Sequence, residues 1–194
     1  MSSEITSIVL AGVGGQGILL ASDITALAAM NAGYDVKTNE VHGMAQRGGS
    51  VIGQIRYGKK VYSPLVTKGT AKVLAGLERI EILRYADYLA KDGLAVVNSQ
   101  MIIPVTVSMG VSKYPSDAKE LLAKIFPKLV YFDAGEEAAK LGNIKAANVV
   151  LLGTISNGVN LPIEAWIEAI TKRIPEKFLD LNIKAFNIGR NIKK

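Results

Sequence analysis

Residues 6–17 read "TSIVLAGVGGQG". An apolar run that breaks into a glycine-rich turn is how a buried strand hands over to a helix in α/β proteins. The residues that follow, "ILLASDITALAAMNAG" (18–33), fit that reading. Leu20, Ile24, Leu27 and Ala28 fall at helical spacing, and Gly33 is a suitable C-terminal stop. "YDVKTNE" (34–40) then reads as a second strand, which completes a βαβ start.

Working outward, "SVIGQIRYGKKVYSP" (50–64) alternates apolar and polar residues around Gly58-Lys59, the pattern of a β-hairpin. "AKVLAGL" reads as a short buried strand, followed by a helix from about Glu78 with Ile82, Tyr85, Ala86 and Leu89 on one face. "GLAVVN" and "IIPVTV" are expected strands, the second irregular or at an edge because of Pro104. "LVYFDA" is a further strand and "GEEAAKLG" a short helix, while "NVVLLGTISNGVN" suits either a buried helix or a buried strand. Pro162 opens a helix in "LPIEAWIEAITKRI", where Ile163, Trp166, Ile167, Ile170 and Ile174 form an apolar stripe. A last helix covers "PEKFLDLNIKAFNIG". Alternating strands and helices imply an α/β, Rossmann-like three-layer sandwich, its sheet mostly parallel with an inserted antiparallel hairpin. The 194 residues suit a single domain.

Composition removes several chemistries. The chain has no cysteine, so it forms no disulfide, carries no thiol nucleophile and holds no thiolate-bound iron–sulfur cluster. One histidine argues against a structural zinc site. The net charge of +6 is spread over Lys60, Lys68, Lys72, Lys113 and the tail, without a basic stripe. That favours a solvated surface over nucleic-acid binding. The apolar runs fall short of a membrane span and the start lacks a signal-peptide pattern, so a cytoplasmic location is expected.

Two glycine-rich stretches carry the functional question. Gly12, Gly14 and Gly17 match G-x-G-x-x-G between a strand and a helix, where backbone N–H groups at the helix start favour an anion. A dinucleotide site also wants an acid at the end of the second strand; Glu40 stands there but somewhat late. Gly15 adds a fourth glycine, and Gln16 puts a long amide where such turns usually carry a small residue. Three readings stay open: a dinucleotide, glycines that only let helix and strand pack closely, and another phosphate-bearing ligand or a partner's backbone. The second stretch, "EVHGMAQRGGSV" (40–51), gathers Glu40, His42, Gln46, Arg47, Gly48, Gly49 and Ser50. Arginine can hold a carboxylate or phosphate bidentately, histidine titrates near neutrality, and Gln46 and Ser50 offer neutral hydrogen bonds. Gly48 and Gly49 permit close backbone approach or positive φ.

Together "GVGGQG", "HGMAQRGG", "VYSPLV" and the Asn98 that closes "DGLAVVN" resemble the gamma-type subunit of the 2-oxoacid:ferredoxin oxidoreductases. The likeness extends over most of the chain and is greatest to the small (beta) subunit of the indolepyruvate type. The resemblance implies a complex that oxidatively decarboxylates a 2-oxoacid, such as an arylpyruvate, with coenzyme A, giving acyl-CoA, carbon dioxide and reduced ferredoxin. It also implies that thiamine diphosphate, magnesium and 4Fe-4S clusters sit on a large partner subunit, and that this chain alone is inert. "KDGLAVVN" is too short for the magnesium–diphosphate motif of that cofactor. On this likeness His42 and Arg47 are the candidate catalytic or supporting residues, bordering the active site and subunit interface. The glycine turn, Glu40, Gln46, Gly48, Gly49, Ser50 and Asn98 are candidate ligand or partner contacts. Tyr114-Pro115 matches the family pattern without a chemical role. The other readings are a stand-alone NAD(P)-binding protein and a non-catalytic scaffold, and an isolated chain is expected to self-associate through a vacant partner surface.

Overall fold

The structure is a computed structural model that describes residues 5–43, 48–111 and 113–192. In chain order the elements are β1 (Thr6–Val13), α1 (Ile18–Asn31), β2 (Asp35–His42), β3 (Ser50–Gly58), β4 (Ala71–Gly76), β5 (Leu89–Asn98), α2 (Val105–Ser108), α3 (Ala118–Ile125), β6 (Leu129–Phe132), α4 (Ala134–Lys140), α5 (Ala147–Ser156), α6 (Ile163–Arg173) and α7 (Leu179–Asn191). Short 3₁₀ helices cover Glu81–Tyr88, Ile144–Ala146 and Glu176–Phe178.

The six strands form one sheet in the order β2-β3-β1-β4-β5-β6. Strands β1, β4, β5 and β6 pair in parallel, whereas β3 runs antiparallel to both of its neighbours. The period-2 alternation of β1 explains the layers. Ile8 and Leu10 face a large cluster built with α1, α5, α6 and α7, and Val9 faces a smaller one with Ile82, Leu122 and Phe126. Helices thus cover both faces, and the expected α/β sandwich is borne out. Trp166 is fully buried and its ring centroid lies 5.8 Å from that of Phe186, so the apolar stripe of α6 is core. Helices α5 and α7 cross at Gly153 and Gly189, where any Cβ would overlap the facing backbone. No helix of the described residues is long and apolar enough to cross a membrane.

Two expectations are corrected. The antiparallel hairpin is β2–β3, joined by the residues that follow His42, and not 50–64 folded about Gly58-Lys59. The reason is that β3 lies between β2 and β1, so it has no free edge to offer residues 61–66. Those residues are pinned by side chains instead: Arg56 Nη1 donates to the Ser63 and Leu65 carbonyls, and Val66 N donates to Gln54 Oε1. "IIPVTV" forms no strand either. Strand β5 is already flanked by β4 and β6, Pro104 has no N–H to give a ladder, and the chain turns there into the short α2. The ambiguous 148–160 segment is helical through Ser156, and the helix expected from Glu78 is the 3₁₀ helix Glu81–Tyr88.

Candidate functional site

The glycine turn closes β1 and opens α1 with Gly15 at φ 99° and Gly17 at φ 78°. Both values lie in the left-handed region that glycine adopts at no steric cost. Gln16 folds back over the carboxyl end of the sheet. Its Oε1 accepts from Val13 N at 2.8 Å, and its Nε2 donates to the Leu77 carbonyl at 2.9 Å and to Gln100 Oε1 at 3.0 Å. Gly12 is what makes room for this, because a Cβ there would come 2.8 Å from Gln16 Oε1. Asn148, at the start of α5, donates from Nδ2 to the Gln16 carbonyl at 2.6 Å.

This geometry separates the turn from a dinucleotide fingerprint. That fingerprint needs the acid-bearing second strand beside the first. Here Glu40 of β2 pairs with Gly53 of β3, and Gly53 pairs with Leu10 of β1. Two strand spacings, about 10 Å, therefore part Glu40 from β1. The long amide at position 16 bridges β1, β4 and the chain beyond β5, ground that a close-lying pyrophosphate would share.

Both glycine stretches meet at one end of the sheet. Gly14 N donates to the Gly49 carbonyl and Gly43 N to the Ser50 carbonyl, each at 2.8 Å. Gly48 has φ 76°, and Ser50 Oγ is 3.0 Å from Tyr85 Oη. The candidates Gln46 and Arg47 lie outside the described residues. Gly14, Gly15, Gln16, Gly17 and Asn98 line one cleft of about 890 Å³, together with Gln100, Ile102, Asp133, Glu136, Lys145 and Asn148. Glu40 and the exposed His42 are not part of it. They line a separate groove of about 570 Å³ against Leu19, Ser22 and Asp23 of α1.

The cleft is polar at its turn end and mixed elsewhere. Helix α1 starts there with no side-chain cap and no acid in its first turn, so backbone donors at that end remain for a ligand. Asn98 is buried, 5% exposed. Its Oδ1 accepts from Ala134 N at 3.1 Å and Gln100 N at 3.4 Å, while Nδ2 has no acceptor among the described residues. The two acids are engaged locally: Asp133 Oδ1 caps α4 through Glu136 N, and Glu136 pairs with Lys140.

Beside the cleft lies a group that the sequence reading passed over. Glu78, 2% exposed, accepts from Ile80 N, Glu81 N and Ile102 N and from the Tyr114 hydroxyl. Arg79 Nε donates to Tyr114 Oη at 3.0 Å, with its guanidinium 4.8 Å from the ring centroid. Burial first, and the Glu78 carboxylate second, push the Tyr114 hydroxyl far above the ordinary tyrosine range. The only signal in the sequence was an acid-arginine pair directly after a buried strand, at the carboxyl end where α/β sheets place ligands. Among the described residues no group of three or more His, Cys, Asp or Glu side chains stands close enough to hold a metal ion.

With the geometry in hand, the chain can be compared with known proteins. The family described as pyruvate ferredoxin/flavodoxin oxidoreductase matches residues 7–192. The chain belongs to that family. It is 44% identical over 188 residues to the indolepyruvate oxidoreductase subunit IorB of Thermococcus kodakarensis, covering 94% of this chain and 93% of that one. Among solved structures it superposes on the gamma subunit of a keto/oxoacid ferredoxin oxidoreductase from Geobacter sulfurreducens with TM-score 0.69, 25% identity and 95% coverage of both chains. The same fold makes up 31% of a longer chain in the 2-oxoglutarate:ferredoxin oxidoreductase of Magnetococcus marinus, determined with 2-oxoglutarate, coenzyme A and succinyl-CoA bound. There the TM-score is 0.71, 97% of this chain is covered and the identity is 20%. The gamma-type resemblance read from the two glycine stretches is borne out, and this family member is an oxidoreductase subunit.

Proposed function

We propose that the chain is the small subunit of a complex that oxidatively decarboxylates an arylpyruvate such as indolepyruvate. The products are acyl-CoA, carbon dioxide and reduced ferredoxin. The carboxylate leaves as carbon dioxide, the coenzyme A thiolate takes the acyl group, and the two electrons released pass singly to ferredoxin. Thiamine diphosphate, with magnesium and 4Fe-4S clusters on the large subunit, supplies the carbanion and electron chemistry. The 44% identity to an indolepyruvate oxidoreductase subunit supports this substrate class.

The observation that carries the role of this chain is the Gly14–Gly49 hydrogen bond. It fastens Gly49, just before β3, to the rim of the 890 Å³ cleft, which supports a role for this end of the sheet in meeting the large subunit. In this reading the cleft holds part of coenzyme A. The uncapped start of α1, Asn98 Nδ2 and Lys145 meet its phosphates and amides, while Ile102 and Ile144 cover its apolar parts. Arg47 reaches the partner's site as a carboxylate or phosphate clamp, and His42 supports it by hydrogen bonding.

The test is co-expression with the large subunit and an anaerobic assay with indolepyruvate, coenzyme A and a ferredoxin-type acceptor. Turnover that requires both chains and falls at least tenfold in Arg47→Ala is the expected result, the loss of one charge-assisted contact. Turnover indifferent to Arg47→Ala would reduce the loop to an interface element. Binding of a nicotinamide cofactor by the lone chain would overturn the assignment.

A further inference from the structure

Glu78 is a buried carboxylate that the proposed chemistry leaves unused. Burying a charge is costly unless hydrogen bonds replace its water, and here four donors do so from three separate segments. Its two oxygens serve different ends. Oε2 accepts from Ile80 N at 2.7 Å and Glu81 N at 2.9 Å, which caps the 3₁₀ helix. A shorter side chain would suffice for that cap. Oε1 turns the other way, to Ile102 N at 3.3 Å and to the Tyr114 hydroxyl.

Ile102 and Tyr114 lie near the two ends of a strap that runs from Ser99 to Tyr114. Among its described residues the strap has one short regular element, the four-residue α2. Its sequence from 99 to 112, "SQMIIPVTVSMGVS", holds no charged residue, and Lys113 comes only at its far end, so the stretch that borders the cleft has no charge of its own with which to form an ion pair. It is fixed from outside. Ser99 N donates to the Phe132 carbonyl at 2.8 Å and Arg79 N to the Gln100 carbonyl at 3.1 Å, and Gln100 Oε1 receives Gln16 Nε2. At the far end Tyr114 is held between Glu78 and Arg79. Gln100 and Ile102, on the near part of the strap, line the cleft opposite the glycine turn.

We infer that Glu78 is a positioning residue that, through its contacts to Ile102 and Tyr114, holds Gln100 and Ile102 in place as the cleft wall opposite the glycine turn and so sets the width of the cleft. The inference rests on the reading that the cleft receives coenzyme A. Glu78 touches neither ligand nor reacting atoms; it acts through the strap. Loosening the latch lets Ile102 and Gln100 retreat and weakens the grip on coenzyme A, while the chemistry on the large subunit proceeds once the ligand is bound.

The experiment uses the assembled complex and compares wild type with Tyr114→Phe, Glu78→Gln and Asn98→Ala. Tyr114→Phe leaves both oxygens of Glu78 on their backbone donors and therefore keeps the helix cap, which Glu78→Gln disturbs. The expected result is a KM for coenzyme A raised about tenfold in Tyr114→Phe, with kcat and the KM for the 2-oxoacid within a factor of two. Amide exchange at Ile102 should quicken in the same variant. If Asn98→Ala raises the KM for coenzyme A and Tyr114→Phe does not, the positioning role is overturned while the cleft remains the coenzyme A site. If neither variant moves it, the cleft reading fails and the inference falls with it. A fall in kcat or in thermal stability without a change in KM would make Glu78 a structural residue only.

Discussion

Gly17 is the joint on which the turn depends, and its replacement by alanine tests that claim in numbers. Two separate costs are expected. The φ of 78° puts an L side chain in the left-handed region, at about 1 kcal/mol. A Cβ would also overlap the Asn148 amide, which would have to abandon its 2.6 Å hydrogen bond to the Gln16 carbonyl, a further ~1 kcal/mol. Gly17→Ala should therefore destabilise by about 2 kcal/mol, and lower Tm by roughly 4–8 °C for a chain of this size. Gly33→Ala is the control. Its φ of 85° is similar but nothing lies within 4 Å of the added Cβ, so only the first cost, about 1 kcal/mol, applies. Asn148→Ala alone should cost ~1 kcal/mol. The double variant Gly17→Ala/Asn148→Ala should cost no more than Gly17→Ala, since the amide that stood in the way is gone. Urea unfolding of the four variants reads all of this. Additive single effects, or equal losses in Gly17→Ala and Gly33→Ala, would refute the packing of Asn148 against the turn.

Three further outcomes are expected. Gly189→Ala places a Cβ against the Val150 carbonyl at the α5–α7 crossing and should cost about 1–3 kcal/mol despite alanine's better helix propensity; a Tm equal to or above wild type would contradict that crossing. The N–H of Val61 and then the Lys37 ammonium hold the Asp35 carboxyl below the ordinary carboxylate range. A lowered folded-state pKa gives stability that is present above the ordinary range and lost as pH falls through the lowered value. Asp35→Asn should accordingly flatten the acid limb of a stability-versus-pH curve, and an unchanged limb would sink the assignment. Burial pushes the Tyr57 hydroxyl up to about 12, so the folded state keeps its proton longer than the unfolded chain does. That contribution is complete below pH 10 and disappears as pH rises toward 12, and ultraviolet titration of wild type against Tyr57→Phe should show one late tyrosine removed.

The first βαβ-like unit was readable because its signals agree: a continuous apolar run, glycines at the turn and a helix with correctly spaced apolar positions. The stripe on α6 was readable for the same reason. The hairpin was misplaced because Gly58-Lys59 is a real turn signal, and alternation says nothing about which strand edges are already taken. Only the sheet order reveals that β3 is flanked on both sides. The glycine turn was visible from spacing, but its acid partner was not testable until β3 was found between β1 and β2. Glu78, Arg79 and Tyr114 were hidden for another reason. Their meeting joins positions 36 residues apart through a strap with no periodicity, and long-range polar contacts of that kind leave no local pattern.

The inserted β3 has a consequence for how this chain can change over time. Strands β2 and β3 are held over a ladder of eight facing pairs, from Asp35 opposite Gly58 to His42 opposite Val51. Residues can be added to or taken from the connection between them without sliding either strand, because the register is set by the ladder and by the pairing of β3 with β1. The connection is thus a replaceable fitting on a fixed mount: its length and composition can be rewritten while the ladder that carries it keeps its register.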